Sequence, residues 1–107
     1  MMSQRLVINI NGNRLSLSGV LDYESILDVY KQGQKWLRNL VPEEAIIEMG
    51  QLTYSNSAGL LLLLDWLRTA IQEQKAISIE KIPDDLFALI KVSGLDNLLA
   101  SELAVRF

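Results

Sequence analysis

Residues 45–64 read AIIEMGQLTYSNSAGLLLLL, and this stretch decides the fold. The apolar run at 45–49 lies between chain-breaking residues and predicts a short central strand. The polar residues 50–56 predict a loop, and a helix is predicted from Ser57 to Gln74. A buried strand that leads through a loop into a helix indicates a sheet with parallel strands.

The residues before this stretch predict a hairpin and a first helix. Apolar side chains alternate along 6–10 and again from Leu15 to Leu17, and an Asn-Gly-Asn turn at 11–13 separates the two runs. Ser18-Gly19 is expected to end the hairpin. Asp22 can cap a helix that extends to residue 41, before Pro42. Gly33 lies on the apolar stripe of this helix and is expected to bring it close to the sheet.

The residues after this stretch alternate between strand and helix patterns. Residues 76–80 predict a strand, and Pro83 begins a third helix with Gly94 as its C-terminal cap. The tail at 95–107 predicts a turn of helix and a last strand. The order β-β-α-β-α-β-α-β predicts one α/β domain over residues 1–107, with a mostly parallel or mixed sheet.

Composition excludes several functional classes. The 107 residues contain no cysteine and no histidine, which excludes disulfides, thiolate chemistry and Ser-His or Cys-His catalysis. Without these residues or a glycine-rich phosphate loop, we expect no metal, no cofactor and no enzymatic activity. The net charge of -3 without a basic cluster argues against nucleic acid. No apolar run is long enough for a signal peptide or a bilayer span, which predicts a soluble cytoplasmic protein.

The start of the second helix is where we expect function. A hydroxyl at Ser55 or Ser57 can cap the helix, and a phosphate carried there would meet the positive end of the helix dipole. Leu60 to Leu64 are five consecutive leucines, which cover the whole circumference of a helix with 3.6 residues per turn. Either this end is buried on all sides, or part of it faces a partner. Full burial of a peripheral helix is difficult in so small a domain, which favours a partner.

Three short segments together resemble the STAS domain family, which includes bacterial anti-sigma-factor antagonists. They are SGVLD at 18–22, SNSAGL at 55–60 and VSGL at 92–95. The resemblance implies a mixed four- to five-stranded sheet with helices mainly on one face, and a protein-binding regulatory role. Ser57 matches the residue that is phosphorylated in the sigma-regulator branch. Asn56 and Val20 depart from the usual Asp and Glu, and the loss of the acid beside the hydroxyl favours a structural or docking role for Ser57.

A narrower resemblance, to the group of MlaB-type STAS subunits, is carried by SAGL at 57–60, LLLDWLR at 62–68, Ile82-Pro83 and residues 86–99. This resemblance implies binding to the ATPase subunit of a phospholipid-transporting ABC transporter that maintains outer-membrane lipid asymmetry. The protein would touch the inner membrane only through that complex. An anti-sigma factor kinase is the alternative partner, and homodimer formation stays open. The expected partner-binding residues are Asn56, Ser57, Ala58, Gly59, Leu61, Leu62 and Asp65, with Ser57 as the key hydroxyl.

Overall fold

One mixed sheet organises the chain. The computed structural model describes residues 5–40 and 44–94. Four strands lie in the order β1-β2-β3-β4, with β1 and β2 antiparallel and the pairs β2–β3 and β3–β4 parallel. The strands are β1 (Val7–Asn11), β2 (Arg14–Leu21), β3 (Glu44–Ser55) and β4 (Ala76–Glu80).

Three helices connect or follow the parallel strands. They are α1 (Ile26–Lys35), which continues into a π-helical segment (Trp36–Leu40), α2 (Ser57–Gln72) and α3 (Asp84–Val92). The crossovers from β2 to β3 and from β3 to β4 advance in the same direction across the sheet. Because such crossovers are right-handed, both place their helices on the same face. The predicted α/β fold, a mixed sheet with helices mainly on one face, is confirmed.

The core lies between this face of the sheet and the helices. Alternate residues of β2 are buried, while the residues between them are only partly covered, as expected for a sheet with one packed face. The largest fully buried side chains include both tryptophans, Trp36 and Trp66, together with Leu15, Leu17, Leu21, Ile47 and Met49. The Trp36 indole N–H also donates to the Gly12 carbonyl at 2.9 Å, which ties the end of the first crossover to the hairpin turn.

Strands β2 and β3 both extend further than the sequence predicts. The polar residues 50–55 belong to β3, and Leu21 pairs with Ser55 at the far end of the two strands. The prediction of a loop at 50–56 is therefore wrong for all but Asn56. Backbone pairing between the strands satisfies the peptide groups there without burying side chains. The periodicity of apolar residues could not reveal such a segment.

Gly19 lies inside β2 and does not end the hairpin, so that prediction is also wrong. Its φ is +95°, and the pairing with β3 shifts register between Gly19 and Val20. A Cβ at this position would lie 2.0 Å from the Arg5 carbonyl oxygen. Glycine is therefore needed for an irregularity within the strand, because other residues rarely adopt such a φ.

The first helix begins later than predicted. Asp22 and Ser25 form a turn in which the Asp22 carboxylate accepts the Ser25 backbone N–H at 2.9 Å, and the Ser25 hydroxyl accepts the Asp22 N–H at 2.9 Å. Asp22 therefore caps the turn that leads into α1, because Ile26 donates its backbone N–H to the Asp22 carbonyl at 3.1 Å. Ser25 occupies the N-cap position of the helix itself. Pro42 and the last strand predicted within 95–107 lie outside the described residues.

Gly33 brings α1 close to another helix and not to the sheet, which corrects the expectation from its position. A Cβ at Gly33 would lie 2.2 Å from the indole ring of Trp66 in α2. The Trp66 N–H donates to the Tyr30 carbonyl of α1 at 3.0 Å. The missing side chain lets the indole lie against the backbone of α1. The prediction of β4 at 76–80 is confirmed. The C-cap of α3 is Ser93 and not Gly94 as predicted, and Gly94 follows it with a φ of +74°.

Candidate partner-binding surface

The loops after β2 and β3 lie side by side at one edge of the sheet. Leu21 and Ser55 are register partners, so the two parallel strands end together. The Asn56 N–H donates to the Leu21 carbonyl at 3.3 Å and joins the loops. Loops at the carboxyl ends of parallel strands commonly form binding sites in α/β proteins.

Asn56 is the residue that caps α2. Its backbone is extended, and its side-chain oxygen accepts the Ala58 backbone N–H at 2.9 Å. An amide can take this role as well as the carboxylate that usually precedes the hydroxyl in the family. The hydroxyl of Ser57 is therefore not needed for the cap.

The Ser57 hydroxyl is hydrogen-bonded to the hydroxyl of Tyr23, which belongs to the loop after β2. Tyr23 lies within the hydrogen-bonded turn formed by Asp22 and Ser25, and about half of its surface, 53 %, is exposed. Sequence reasoning did not identify Tyr23. An aromatic residue in a short loop directly after a strand was the available signal.

Adjacent leucines of α2 lie in opposite environments. Leu61 is 51 % exposed, whereas Leu62 is 1 % exposed and belongs to the core. Ala58 and Gly59 are also buried, and a Cβ at Gly59 would lie 3.0 Å from Leu21 and 3.1 Å from Leu86. These three residues are buried within the domain and fix the position of α2. Of the leucines in the predicted contact set, Leu61 is therefore the one whose side chain is exposed, and Leu62 is part of the core.

Asp65 lies on the α1 side of α2. Its carboxylate accepts the side-chain N–H of Gln34 from α1 at 2.8 Å. The residue is partly buried, so this carboxylate already has an intramolecular role at the contact between the two helices.

A shallow groove of about 440 Å³ runs between the start of α2 and the outer side of α3. Asn56 and Ser57 line one side, and Asp85, Leu89 and Val92 line the other. Leu89 is 36 % exposed and Val92 is 88 % exposed. We call the surface formed by Tyr23, Ser57, Leu61, Leu89 and Val92 the Ser57 face.

Metal binding and membrane insertion receive no support from the described part of the chain. Across residues 5–40 and 44–94, no three acidic side chains converge to form a metal site. Among the helices described, none combines the length and hydropathy required for a membrane span.

Comparison with solved structures finds chains with a similar fold. A chain of the Acinetobacter MlaFEDB complex, in its ATP-bound Vtrans2 conformation, superposes with a TM-score of 0.74 at 23 % identity, covering 92 % of this chain and 98 % of that one. The Vtrans1 conformation gives a TM-score of 0.72 at the same identity, covering 92 % and 99 %. The unphosphorylated anti-sigma factor antagonist SpoIIAA gives 0.63 at 11 % identity, covering 87 % and 96 %.

Sequence comparison gives the family. No curated protein sequence matches the chain. The family model described as "Mlab, STAS domain" matches residues 6–100, which includes every strand and helix of the described fold. The sheet order, the three helices and this match agree with the resemblance carried by the segments at 18–22, 55–60 and 92–95, and the chain belongs to the MlaB-type STAS domain family.

Proposed function

We propose that this protein is the non-catalytic STAS subunit of a phospholipid-transporting ABC transporter, and that it binds and supports the ATPase subunit. In this role it lies on the cytoplasmic side of the inner membrane and contributes to outer-membrane lipid asymmetry. Membership of the MlaB-type family supports the proposal. The similarity of the fold to a chain of the MlaFEDB complex supports it as well.

The observation that carries the proposal is the exposed apolar part of the Ser57 face. The core is already filled by both tryptophans and the leucines of β2, yet Leu61 and Val92 remain open to water. Ser57 lies one helical turn from Leu61 and lines the groove with Val92. Apolar side chains around a small polar centre are typical of a protein-binding surface.

The predicted site residues take two different roles in this proposal. Leu61 and the Ser57 hydroxyl contact the ATPase subunit directly. Ala58, Gly59 and Leu62 hold the start of α2 against β2 and α3 through buried contacts. A change in the second group would lower binding only by disturbing the fold.

Affinity capture from the native cell tests the proposal, with the captured proteins identified by mass spectrometry. We expect the wild-type protein to recover an ABC ATPase and Leu61→Asp to lose it. Ile71→Asp is the matched control, because Ile71 is 53 % exposed on the same helix and lies about 15 Å further along its axis. Recovery of an anti-sigma kinase alone, or equal loss with both variants, would contradict the proposal.

One observation favours a second function, that of an anti-sigma-factor antagonist switched by phosphorylation. The Ser57 hydroxyl does not cap α2, because the side chain of Asn56 does so. A phosphate on Ser57 would be stabilised by the positive end of the α2 dipole. Mass spectrometry of protein from cells and after incubation with the cognate kinase would show this phosphate. Its consistent absence would discard this alternative.

A further inference from the structure

We propose that Tyr23 is a recognition residue of the Ser57 face, and that it and Ser57 act on the partner as one hydrogen-bonded pair. This inference rests on the proposed function, since the partner it addresses is the ATPase subunit. It adds a residue from a different loop to a site that the sequence places on α2 alone.

The first argument is that neither hydroxyl of the pair is required by the secondary structure. Asn56 supplies the side-chain cap of α2, and Asp22 and Ser25 bond to each other to hold the turn that contains Tyr23. The hydroxyls of Tyr23 and Ser57 instead bond to each other across the two loops.

The second argument concerns the hydrogen-bond donor that remains once the two hydroxyls have bonded to each other. Each hydroxyl has one proton, and only one of the two protons is used when the oxygens bond to each other. The pair therefore keeps one O–H donor for an incoming group. A backbone carbonyl or a carboxylate of the partner is the group that this donor fits.

The third argument is that Tyr23 is held in place before a partner binds. The Asp22–Ser25 turn and the bond from the Asn56 N–H to the Leu21 carbonyl fix its loop to the start of α2. The ring is nevertheless about half exposed. A tyrosine on a fixed turn loses little conformational freedom on binding, which is why tyrosine is frequent among the residues that dominate binding energy.

The test measures the Kd of the purified ATPase subunit by titration calorimetry for the wild type, Tyr23→Phe, Ser57→Ala and the double variant. Loss of one hydrogen bond predicts a Kd weakened about three- to tenfold by Tyr23→Phe. Ser57→Ala should have a similar effect. The Kd of the double variant should be about the same as that of the single variant that binds more weakly, because the two hydroxyls act as a unit.

Two controls separate recognition from folding. Tyr54 is also 53 % exposed, but it is Tyr23 and not Tyr54 whose hydroxyl is bonded to Ser57, so Tyr54→Phe should bind like the wild type. The urea midpoints of all these variants should lie close to that of the wild type, because the bond between the two hydroxyls is exposed. An equal loss with Tyr54→Phe, or a drop in midpoint large enough to account for the weaker binding, would overturn the inference.

The outcomes also separate this inference from the proposed function. If Leu61→Asp abolishes binding while Tyr23→Phe binds like the wild type, the inference fails and the proposed function stands. If the fold-change in Kd of the double variant equals the product of the fold-changes of Tyr23→Phe and Ser57→Ala, the two hydroxyls act independently and the proposed pair is disproved. If the wild-type protein does not bind the ATPase subunit at all, both fail.

Discussion

The inner and outer faces of α2 carry the same residue type in different environments. Leu62 and Leu63 are each 1 % exposed and pack into the core, whereas Leu61 is half exposed beside Ser57. Composition alone does not separate these leucines, since the five in succession cover the whole helix. The comparison teaches that contacts elsewhere in the sequence decide which side of α2 is buried.

One of these contacts joins Gly33 of α1 to Trp66 of α2. The indole lies where a Gly33 side chain would be, and its N–H bonds to α1 at Tyr30. This contact fixes the rotation of α2 about its axis, because a helix with a buried tryptophan cannot turn without losing both the packing and the hydrogen bond. The opposite side of the helix, with Leu61, then faces outward.

The largest expected difference lies between two neighbouring substitutions. Leu62→Asp would bury an unpaired carboxylate and should cost more than about 4 kcal/mol, which is a large part of the about 5–15 kcal/mol that stabilises a typical domain. Leu61→Asp should change the free energy of unfolding by about 1 kcal/mol or less, because the side chain is half in water. Urea denaturation followed by circular dichroism measures both. If the two variants lost similar free energies of unfolding, the distinction between the buried and exposed sides of α2 would be wrong.

Gly33→Ala should have the next largest effect. Alanine favours a helix over glycine by about 1 kcal/mol, but its methyl group would clash with the Trp66 ring. Overpacking of this kind costs about 1–3 kcal/mol, so we expect a net loss in the free energy of unfolding. Lys31→Ala, at an exposed position of the same helix, is the control and should be nearly neutral. A stabilising Gly33→Ala would show that this contact does not fix α2.

The smallest expected effects concern the start of α2. Asn56→Ala removes the cap and should lower the free energy of unfolding by about 1 kcal/mol. Ser57→Ala should lower it by about 0.5 kcal/mol or less, because its bond to Tyr23 is exposed. Thermal unfolding compares the two. A larger loss with Ser57→Ala would mean that this hydroxyl is structural after all.

Periodicity and turn residues predict most of the fold. The alternation of apolar residues places β4 correctly, and the Asn-Gly-Asn turn places the hairpin. The late start of α1 and the polar end of β3 could not be predicted in this way. Both depend on hydrogen bonds that the spacing of apolar residues does not reveal. These are the bonds within the Asp22–Ser25 turn and the backbone pairing of Leu21 with Ser55.

The candidate site was only partly predictable for a related reason. The sequence indicates an important segment at 56–65 but treats α2 as peripheral, whereas the helix contacts α1, α3 and β4. Most of its leucines are therefore used by the core, and the exposed apolar surface is narrower than expected. The chain also brings Tyr23, Leu89 and Val92 to this surface from other elements, and their meeting with Ser57 depends on the tertiary fold.

Site-specific cross-linking tests most directly whether the Ser57 face binds the ATPase subunit. A photoreactive amino acid is placed at position 61 in one protein and at position 71 in another, and each complex with the purified ATPase subunit is irradiated. We predict a covalent adduct from position 61 and little or none from position 71. Equal adducts from both positions, or an adduct from position 71 alone, would contradict this account.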